Sequence, residues 1–174
     1  GMDRYGGPIR NMLQAVQREP DIFTDIVTAL AKDEGLVIAE NEHAIAYADA
    51  GHPFTTAAIY CKEAGRLSEL SAAAMRGMSD LAHAIHAAFG RNEPVNEEWY
   101  YTPPGAECEL PFMILIKWRK NRHAGLEGST HLYIDAYRPI DLKEKLVKRL
   151  KHITNIGDMA IGDACPVELY AEKS

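Results

Sequence analysis

Apolar residues recur every three or four positions in two outer parts of the chain, and this spacing predicts helices there. The first helix is expected over residues 10–33, with a break near Pro20 and an end at Gly35. The last is expected over residues 141–153. Asp141 lies near its start and several cations lie near its end, which is the arrangement that the helix dipole favours.

The clearest helical pattern lies in the middle of the chain, over residues 67–90. Ser71 can cap its start, and Gly90 can end it. Its apolar side chains form one continuous stripe, so we expect that face to pack on a sheet. The stripe consists of Ala74, Met78, Leu81, Ile85 and Phe89.

Between these helices, other segments have the alternating pattern or the apolar, β-branched content of strands. They span residues 36–40, 43–49, 54–62, 99–102, 110–118 and 130–137. The first two read as a hairpin, and strand 111–118 is expected to lie antiparallel and adjacent to strand 130–137. The order of elements predicts an α+β fold with an antiparallel sheet and helices packed on it. Without a repeat or an obvious linker, residues 1–174 are expected to form a single domain.

The composition of the chain argues against several classes of protein. The net charge of −6 argues against a general nucleic-acid binder. No segment approaches the roughly 18 unbroken apolar residues of a membrane span. The N-terminal residues lack the apolar core of a signal peptide, and the cysteines at 61, 108 and 165 are scattered without a CxxC pair. We therefore expect a cytoplasmic protein with no disulfide framework, no structural zinc and no other metal or cofactor.

Strand 130–137 carries the most unusual pattern of side chains. Leu132 and Ile134 suit a core, whereas His131, Tyr133 and Asp135 alternate with them and share the other face. Such a row of hydrogen-bonding and titratable groups is either a solvated sheet face or the wall of a site. These three residues are the candidate catalytic residues.

The segment before this strand holds the densest positive cluster of an acidic chain. Its cations, together with a serine and nearby glycines, could surround a phosphate group. The alternative is a solvated basic loop. The candidate phosphate-binding residues are Lys117, Arg119, Lys120, Arg122 and Ser129.

The order of these motifs resembles a known family. An apolar strand that begins Pro-Phe at 111–112, a loop, a His-x-Tyr strand at 131–133 and an aromatic-x-Pro ending at 137–139 are similar to the C-terminal half of galactose-1-phosphate uridylyltransferases. That half belongs to the histidine-triad superfamily. The Glu-Asn-Glu-His stretch at 40–43 also matches, and the resemblance covers roughly residues 20–170. It implies a histidine-triad-like domain that binds a nucleotide or a sugar phosphate.

The chain departs from this family at the positions that carry its chemistry. It has no His-Pro-His motif, which in the family supplies the nucleophile from the N-terminal half, and residues 52–54 read His-Pro-Phe instead. In histidine-triad hydrolases the nucleophile is the second His of the triad strand, and Tyr133 stands at that position. Lys117 occupies about the place of a metal-binding His. The resemblance therefore implies a divergent uridylyltransferase-like protein with impaired or altered nucleotidyl transfer.

Two alternatives stay open at the level of sequence. The chain could be an active hexose-1-phosphate uridylyltransferase of galactose metabolism. It could also be a non-catalytic half of a split enzyme that needs a separate partner resembling the N-terminal half. A homodimer is equally compatible with the pattern, whereas membrane and nucleic-acid partners are not expected.

Overall fold

The computed structural model of the chain describes residues 6–52, 54–63, 65–119 and 137–162. Within these ranges, helices pack on both faces of a six-stranded antiparallel sheet, so the predicted α+β fold class is confirmed. The helical segments are α1 (Gly7–Arg18), a π-helix (Ile22–Val27), α2 (Thr28–Asp33), α3 (Ala72–Phe89) and α4 (Pro139–Leu150).

The predicted N-terminal helix is present in three consecutive pieces, and the break falls where proline was expected to cause it. Pro20 lies between α1 and the π-helix and has no N–H with which to continue the helical ladder. The last piece, α2, ends just before Gly35, whose φ of +65° is a left-handed conformation that favours glycine.

Helix α3 starts at Ala72, later than the predicted position 67, but its cap and its end are the predicted ones. The side-chain oxygen of Ser71 accepts a hydrogen bond from the backbone N–H of Ala74 at 3.0 Å, which is an N-cap. Gly90 follows the helix with a φ of +107°. These two local signals therefore set both ends of the longest helix in the described part of the chain.

All strand pairs in the sheet are antiparallel, and the predicted hairpin at 36–49 is confirmed as β1 and β2. The strands are β1 (Val37–Glu40), β2 (Ala44–Asp49), β3 (Thr56–Cys61), β4 (Val95–Tyr100), β5 (Met113–Trp118) and β6 (Ala160–Ile161). Their order across the sheet is β4-β5-β3-β2-β1-β6. Strand β4 begins four residues earlier than the predicted 99–102.

The predicted pairing of strand 111–118 with strand 130–137 is wrong. One edge of β5 pairs with β3, where Ile114 lies opposite Ile59, and the other edge pairs with β4, where Ile114 lies opposite Trp99. Each strand has only two hydrogen-bonding edges, so no further strand can pair with β5 over this length. Residues 130–136 lie outside the described residues.

The two faces of the sheet are covered by different helices. The apolar stripe of α3 packs on one face, as predicted, with Met78, Leu81, Ile85 and Phe89 almost completely buried. Helix α4 packs beside it. On the opposite face, the π-helix and α2 cover the apolar side chains of β2, β3 and β5. Among the described residues, no helix is long and apolar enough to cross a membrane.

Candidate functional site

The structure describes two of the eight predicted site residues, Lys117 and Arg119. The other six lie outside the described residues, so their predicted roles stay predictions. They are His131, Tyr133, Asp135, Lys120, Arg122 and Ser129.

Lys117 is held near the carboxyl end of β5, on the sheet face opposite α3 and α4. Its neighbours Ile116 and Trp118 point into the core beneath those helices, and alternation places Lys117 on the other side. Its ammonium group donates a hydrogen bond to the carboxylate of Glu98 on β4 at 2.7 Å. The Lys117 side chain is only 14% exposed, so its charge is partly removed from water.

Lys117 belongs to a line of polar side chains that crosses four neighbouring strands. In register from β2 to β4, Asp49 lies opposite Thr56, Thr56 opposite Lys117, and Lys117 opposite Asn96. Residues directly opposite one another project from the same face, and strands lie about 4.8 Å apart, so the line is about 14 Å long. We call these four residues the polar row.

Two further titratable side chains extend the polar row. The imidazole Nδ1 of His52 contacts the carboxylate of Asp49. Glu98 lies two residues along β4 from Asn96 and accepts hydrogen bonds from both Lys117 and the Tyr100 hydroxyl, the latter at 3.0 Å. Acidic, basic and imidazole groups therefore occur together at this end of the sheet.

The two partners of Glu98 control its charge. Partial burial acts to raise its pKa, but the hydrogen bonds from Lys117 and Tyr100 outweigh burial and hold the pKa below its usual value. Burial and the neighbouring Glu98 carboxylate raise the pKa of Tyr100. Glu98 is therefore ionised and Tyr100 is neutral at neutral pH.

Beside the polar row, on the same face of the sheet, lies a pair of buried tyrosines. The rings of Tyr47 and Tyr60 stack with their centroids 5.6 Å apart. Burial raises the pKa of both phenols well above the usual value. Both therefore stay neutral at physiological pH, and neither supplies a phenolate to the polar row.

Arg119 follows β5 directly and is fixed through its backbone. Its N–H donates to the carbonyl oxygen of Pro94, which precedes β4, at 2.8 Å. Arg119 therefore lies at the same end of the sheet as Lys117. The two residues are close because they are two positions apart in sequence, and their role in phosphate binding stays a prediction.

Sequence reasoning missed Asp49, His52 and Glu98. The available signal was the position of Asp49 at the end of the alternating strand 43–49, and of Glu98 near a cluster of aromatics. Neither position indicates that these side chains lie beside Lys117. That proximity comes from the strand order, which places β5 between β3 and β4.

A second polar cluster lies on the same face of the sheet but at the opposite end of the strands, beside a cavity of ≈240 Å³. The Glu40 carboxylate, whose side chain is 4% exposed, forms ion pairs with Lys62 and, at 3.2 Å, with Lys32. Lys62 also donates to the backbone oxygen of Asn41 at 2.8 Å. These contacts hold the hairpin against α2, and the ion pairs compensate the charge of the buried carboxylate.

The described residues contain no group of three or more His, Cys, Asp or Glu side chains that could hold a metal ion. The imidazole Nε2 of His86, on α3, instead contacts the carboxylate of Glu97 at 2.6 Å. Cys61 and Cys108 are not joined in a disulfide, and burial raises the pKa of each thiol. In the described part of the chain, the polar row, together with His52 and Glu98, therefore combines acidic, basic and imidazole side chains without forming a metal site.

Comparison with protein families finds one model that spans almost the whole chain. The family described as Domain of unknown function (DUF4921) matches residues 1–172. No curated protein sequence matches the chain significantly.

Comparison with solved structures finds the fold of uridylyltransferases. A uridylyltransferase mutant aligns with a TM-score of 0.62 and 18% identity, over 83% of this chain and 53% of that one. A second structure, of a uridylyltransferase, gives 0.58 and 17%, over 85% and 52%. A Hit-like protein from Bartonella henselae gives 0.44 and 14%, over 74% and 95%. The resemblance inferred from the sequence is therefore confirmed for the fold, and the chain spans about half the length of the two uridylyltransferases.

Proposed function

The chain belongs to the DUF4921 family, and from that premise we propose that it is a divergent uridylyltransferase-like protein. In this proposal it binds a nucleotide or a sugar phosphate, and its nucleotidyl transfer is impaired or altered. The observation that carries the proposal is the uridylyltransferase fold, which extends over 83% of the chain. Because a shared fold can host different activities, the ligand and the chemistry are the proposed part.

The polar row supports a ligand with a phosphate group. Lys117 is a partly buried cation at the sheet end where Arg119 also lies, and the two could contact adjacent phosphate oxygens. Glu98 currently holds the Lys117 ammonium at 2.7 Å. A phosphate that binds to the Lys117 ammonium would therefore either displace the Glu98 carboxylate or bind beside it.

A binding experiment with paired variants tests this proposal. UDP-glucose is titrated into the full chain by calorimetry, and saturable binding is expected. Lys117→Met keeps most of the side-chain volume and removes the charge, so affinity is expected to fall by about tenfold, the usual effect of losing a charged hydrogen bond. Glu98→Gln removes the carboxylate that competes for Lys117, so affinity is expected to stay equal or rise.

The outcomes are separable. Absence of saturable binding to UDP-glucose, galactose-1-phosphate and UDP would contradict the proposed ligand class. If Lys117→Met binds the ligand as tightly as the unmodified chain does, the polar row is not part of the binding site. An equal loss in both variants would indicate that the Lys117–Glu98 pair acts through structure instead of through phosphate contact.

A second candidate is that the domain completes its site with another half-domain. The observation that favours it is that this chain aligns with only about half of each uridylyltransferase of the same fold. The nucleophile would then come from a partner that carries a His-Pro-His motif, as the sequence resemblance implies. A homodimer is the alternative source of a second half-domain.

Exchange of label between UDP-glucose and galactose-1-phosphate tests this second candidate. We expect no exchange by the chain alone and measurable exchange after addition of a purified uridylyltransferase N-terminal half. The control is the same N-terminal half with its nucleophilic His replaced by Ala. If neither the intact N-terminal half nor its His-to-Ala variant produces exchange, a separate N-terminal-half partner is excluded. A monomeric mass by light scattering would exclude the homodimer as well.

A further inference from the structure

A basic groove lies on the face of the molecule opposite the polar row, where the carboxyl ends of α3 and α4 approach each other. It is a shallow, open cavity of ≈680 Å³. Its floor is formed by the last turn of α3, and one wall is formed by α4. The side chains that give the basic groove its charge are Arg91, Lys145, Lys148, Arg149 and His152.

The charge of the basic groove contrasts with the rest of the chain, whose net charge is −6. Four of its lining residues are permanent cations, and one, Glu93, is a carboxylate. The Glu93 carboxylate already accepts a hydrogen bond from the indole N–H of Trp118 at 2.7 Å. The groove therefore concentrates positive charge in an acidic protein.

Two of the cations are held in place by the fold. The Arg149 guanidinium donates from Nη1 to the carbonyl oxygens of Ala88 and Phe89 at 2.8 and 2.6 Å. The Lys145 ammonium lies 4.3 Å from the centroid of the Trp118 ring and donates to the Tyr137 hydroxyl at 3.3 Å. Cations that are already ordered lose less conformational entropy when they bind a ligand.

The partial negative charges at the carboxyl ends of α3 and α4 balance only part of the positive charge of the basic groove. Each helix carboxyl end carries about half a negative charge, so two ends offset about one cation. With Glu93 subtracted as well, about two positive charges are left. Arg149 directly contacts α3 carbonyls, but neither Arg91 nor Lys148 forms an ion pair with any described carboxylate.

We propose that the basic groove binds a small molecule that carries an oligophosphate, meaning two or more linked phosphates. Arg and Lys side chains are the usual protein partners of phosphate oxygens. The volume matches a ligand of nucleotide size, within the range of about 300–1,000 Å³ typical of small-molecule sites. The acidic net charge argues against a nucleic-acid polymer as the ligand. This site is separate from the polar row, because the sheet lies between them.

Titration with inorganic tripolyphosphate tests the inference on the full chain. We expect saturable binding by calorimetry and a rise in melting temperature. The double variant Arg91→Ala/Lys148→Ala changes two exposed side chains and is expected to lose at least about tenfold in affinity. Lys151→Ala is the matched control: Lys151 is exposed, follows α4 directly and does not line the basic groove, so its affinity is expected to stay within about twofold.

Three results would overturn the inference: no saturable binding of tripolyphosphate, an equal loss of affinity in Lys151→Ala, or equally tight binding of citrate, which indicates general attraction of anions. Titration of galactose-1-phosphate, which carries a single phosphate, distinguishes this site from the polar row. The affinity of the chain for galactose-1-phosphate is expected to be unchanged in the double variant, whether or not the proposed uridylyltransferase-like function is correct. A shared loss of both ligands in that variant would also contradict a separate site.

Discussion

Asn41 connects the turn of the β1–β2 hairpin to helix α3 through its side chain. Its Oδ1 accepts hydrogen bonds from the backbone N–H groups of His43 and Ala44 at 3.0 and 2.8 Å, and its Nδ2 donates to the Gly77 carbonyl at 2.9 Å. The residue is 8% exposed. Three backbone groups thus depend on a single amide side chain.

We therefore expect Asn41→Ala to lower the free energy of unfolding by about 2 kcal/mol, because it leaves buried backbone groups without partners. Urea unfolding followed by circular dichroism measures this change. Asn11→Ala, on the exposed side of α1, is the control and is expected to change stability by less than about 0.5 kcal/mol. Equal effects of the two variants would contradict the bridging role of Asn41.

The Glu98–Lys117 contact predicts a pH dependence of stability. The folded-state pKa of Glu98 lies below its usual value of 4.5, so its contribution is fully present above that value and is lost as pH falls through the folded pKa. Glu98 is 38% exposed, which limits the contribution to less than about 1 kcal/mol.

Accordingly, Glu98→Gln is expected to be less stable than the unmodified chain at pH 6, and the difference is expected to disappear toward pH 3. Urea unfolding at both pH values measures the two differences. Glu107→Gln provides a control with an exposed carboxylate outside the polar row. A difference that is constant with pH would show that the ionised Glu98 carboxylate does not stabilise the fold.

At the scale of elements, α3 and the hairpin approach each other closely at Gly77. A Cβ added there would lie 2.8 Å from the Cβ of His43 and 3.0 Å from the Oδ1 of Asn41. Alanine is favoured over glycine in a helix by about 1 kcal/mol, but the added atom would push the hairpin away and strain the Asn41 bridge. The two effects have opposite signs, and the clash is with a β-carbon that has no freedom to move on its own.

We expect the clash to dominate, so that Gly77→Ala lowers the melting temperature although alanine is the better helix former. Differential scanning calorimetry measures the change. Ser79→Ala is the matched control, since Ser79 is exposed on the same helix and the substitution is expected to be neutral or slightly stabilising. A gain in stability for Gly77→Ala would mean that the hairpin and α3 are packed more loosely than the structure shows.

At the scale of the whole molecule, the question is whether this uridylyltransferase-like fold can form a covalent nucleotidyl intermediate. The sequence resemblance places Tyr133 where histidine-triad hydrolases have their nucleophilic His. A phenol with a pKa of about 10 is ionised to about one part in a thousand at pH 7, a handicap of roughly 4 kcal/mol unless a cation lowers that pKa. Lys117 or Arg119 could supply such a cation, but the Lys117 ammonium already contacts Glu98 at 2.7 Å.

We therefore expect no uridylyl adduct when the chain is incubated alone with UDP-glucose, as measured by intact-protein mass spectrometry. A uridylyltransferase with its own His-Pro-His motif, treated in the same way, is the positive control. An adduct on this chain that maps to His131 or Tyr133 and disappears when that residue is replaced would contradict the prediction and would identify an active transferase.

Local sequence patterns were sufficient to predict the structure wherever interactions between residues close in sequence determine it. The periodic stripe of α3, its Ser71 cap and the Gly90 end follow from interactions within a few residues, and all were predicted correctly. The same holds for the β1–β2 hairpin and for the Pro20 break. The order of the motifs along the chain also indicated the uridylyltransferase fold, because a family resemblance depends on sequence order and not on contacts.

The strand order and the polar row could be known only from the folded chain. Alternation places Lys117 on one face of β5, but no local signal indicates which strands lie beside β5. The structure places β3 and β4 there, whereas the sequence predicted residues 130–137 as a neighbour. Edge choice depends on packing between residues far apart in sequence. The proximity of Lys117 to Glu98 and of α3 to the cations of α4 arises in the same way. The sequence therefore predicted Lys117 and the cations near the end of α4, and tertiary packing decided which side chains lie beside them.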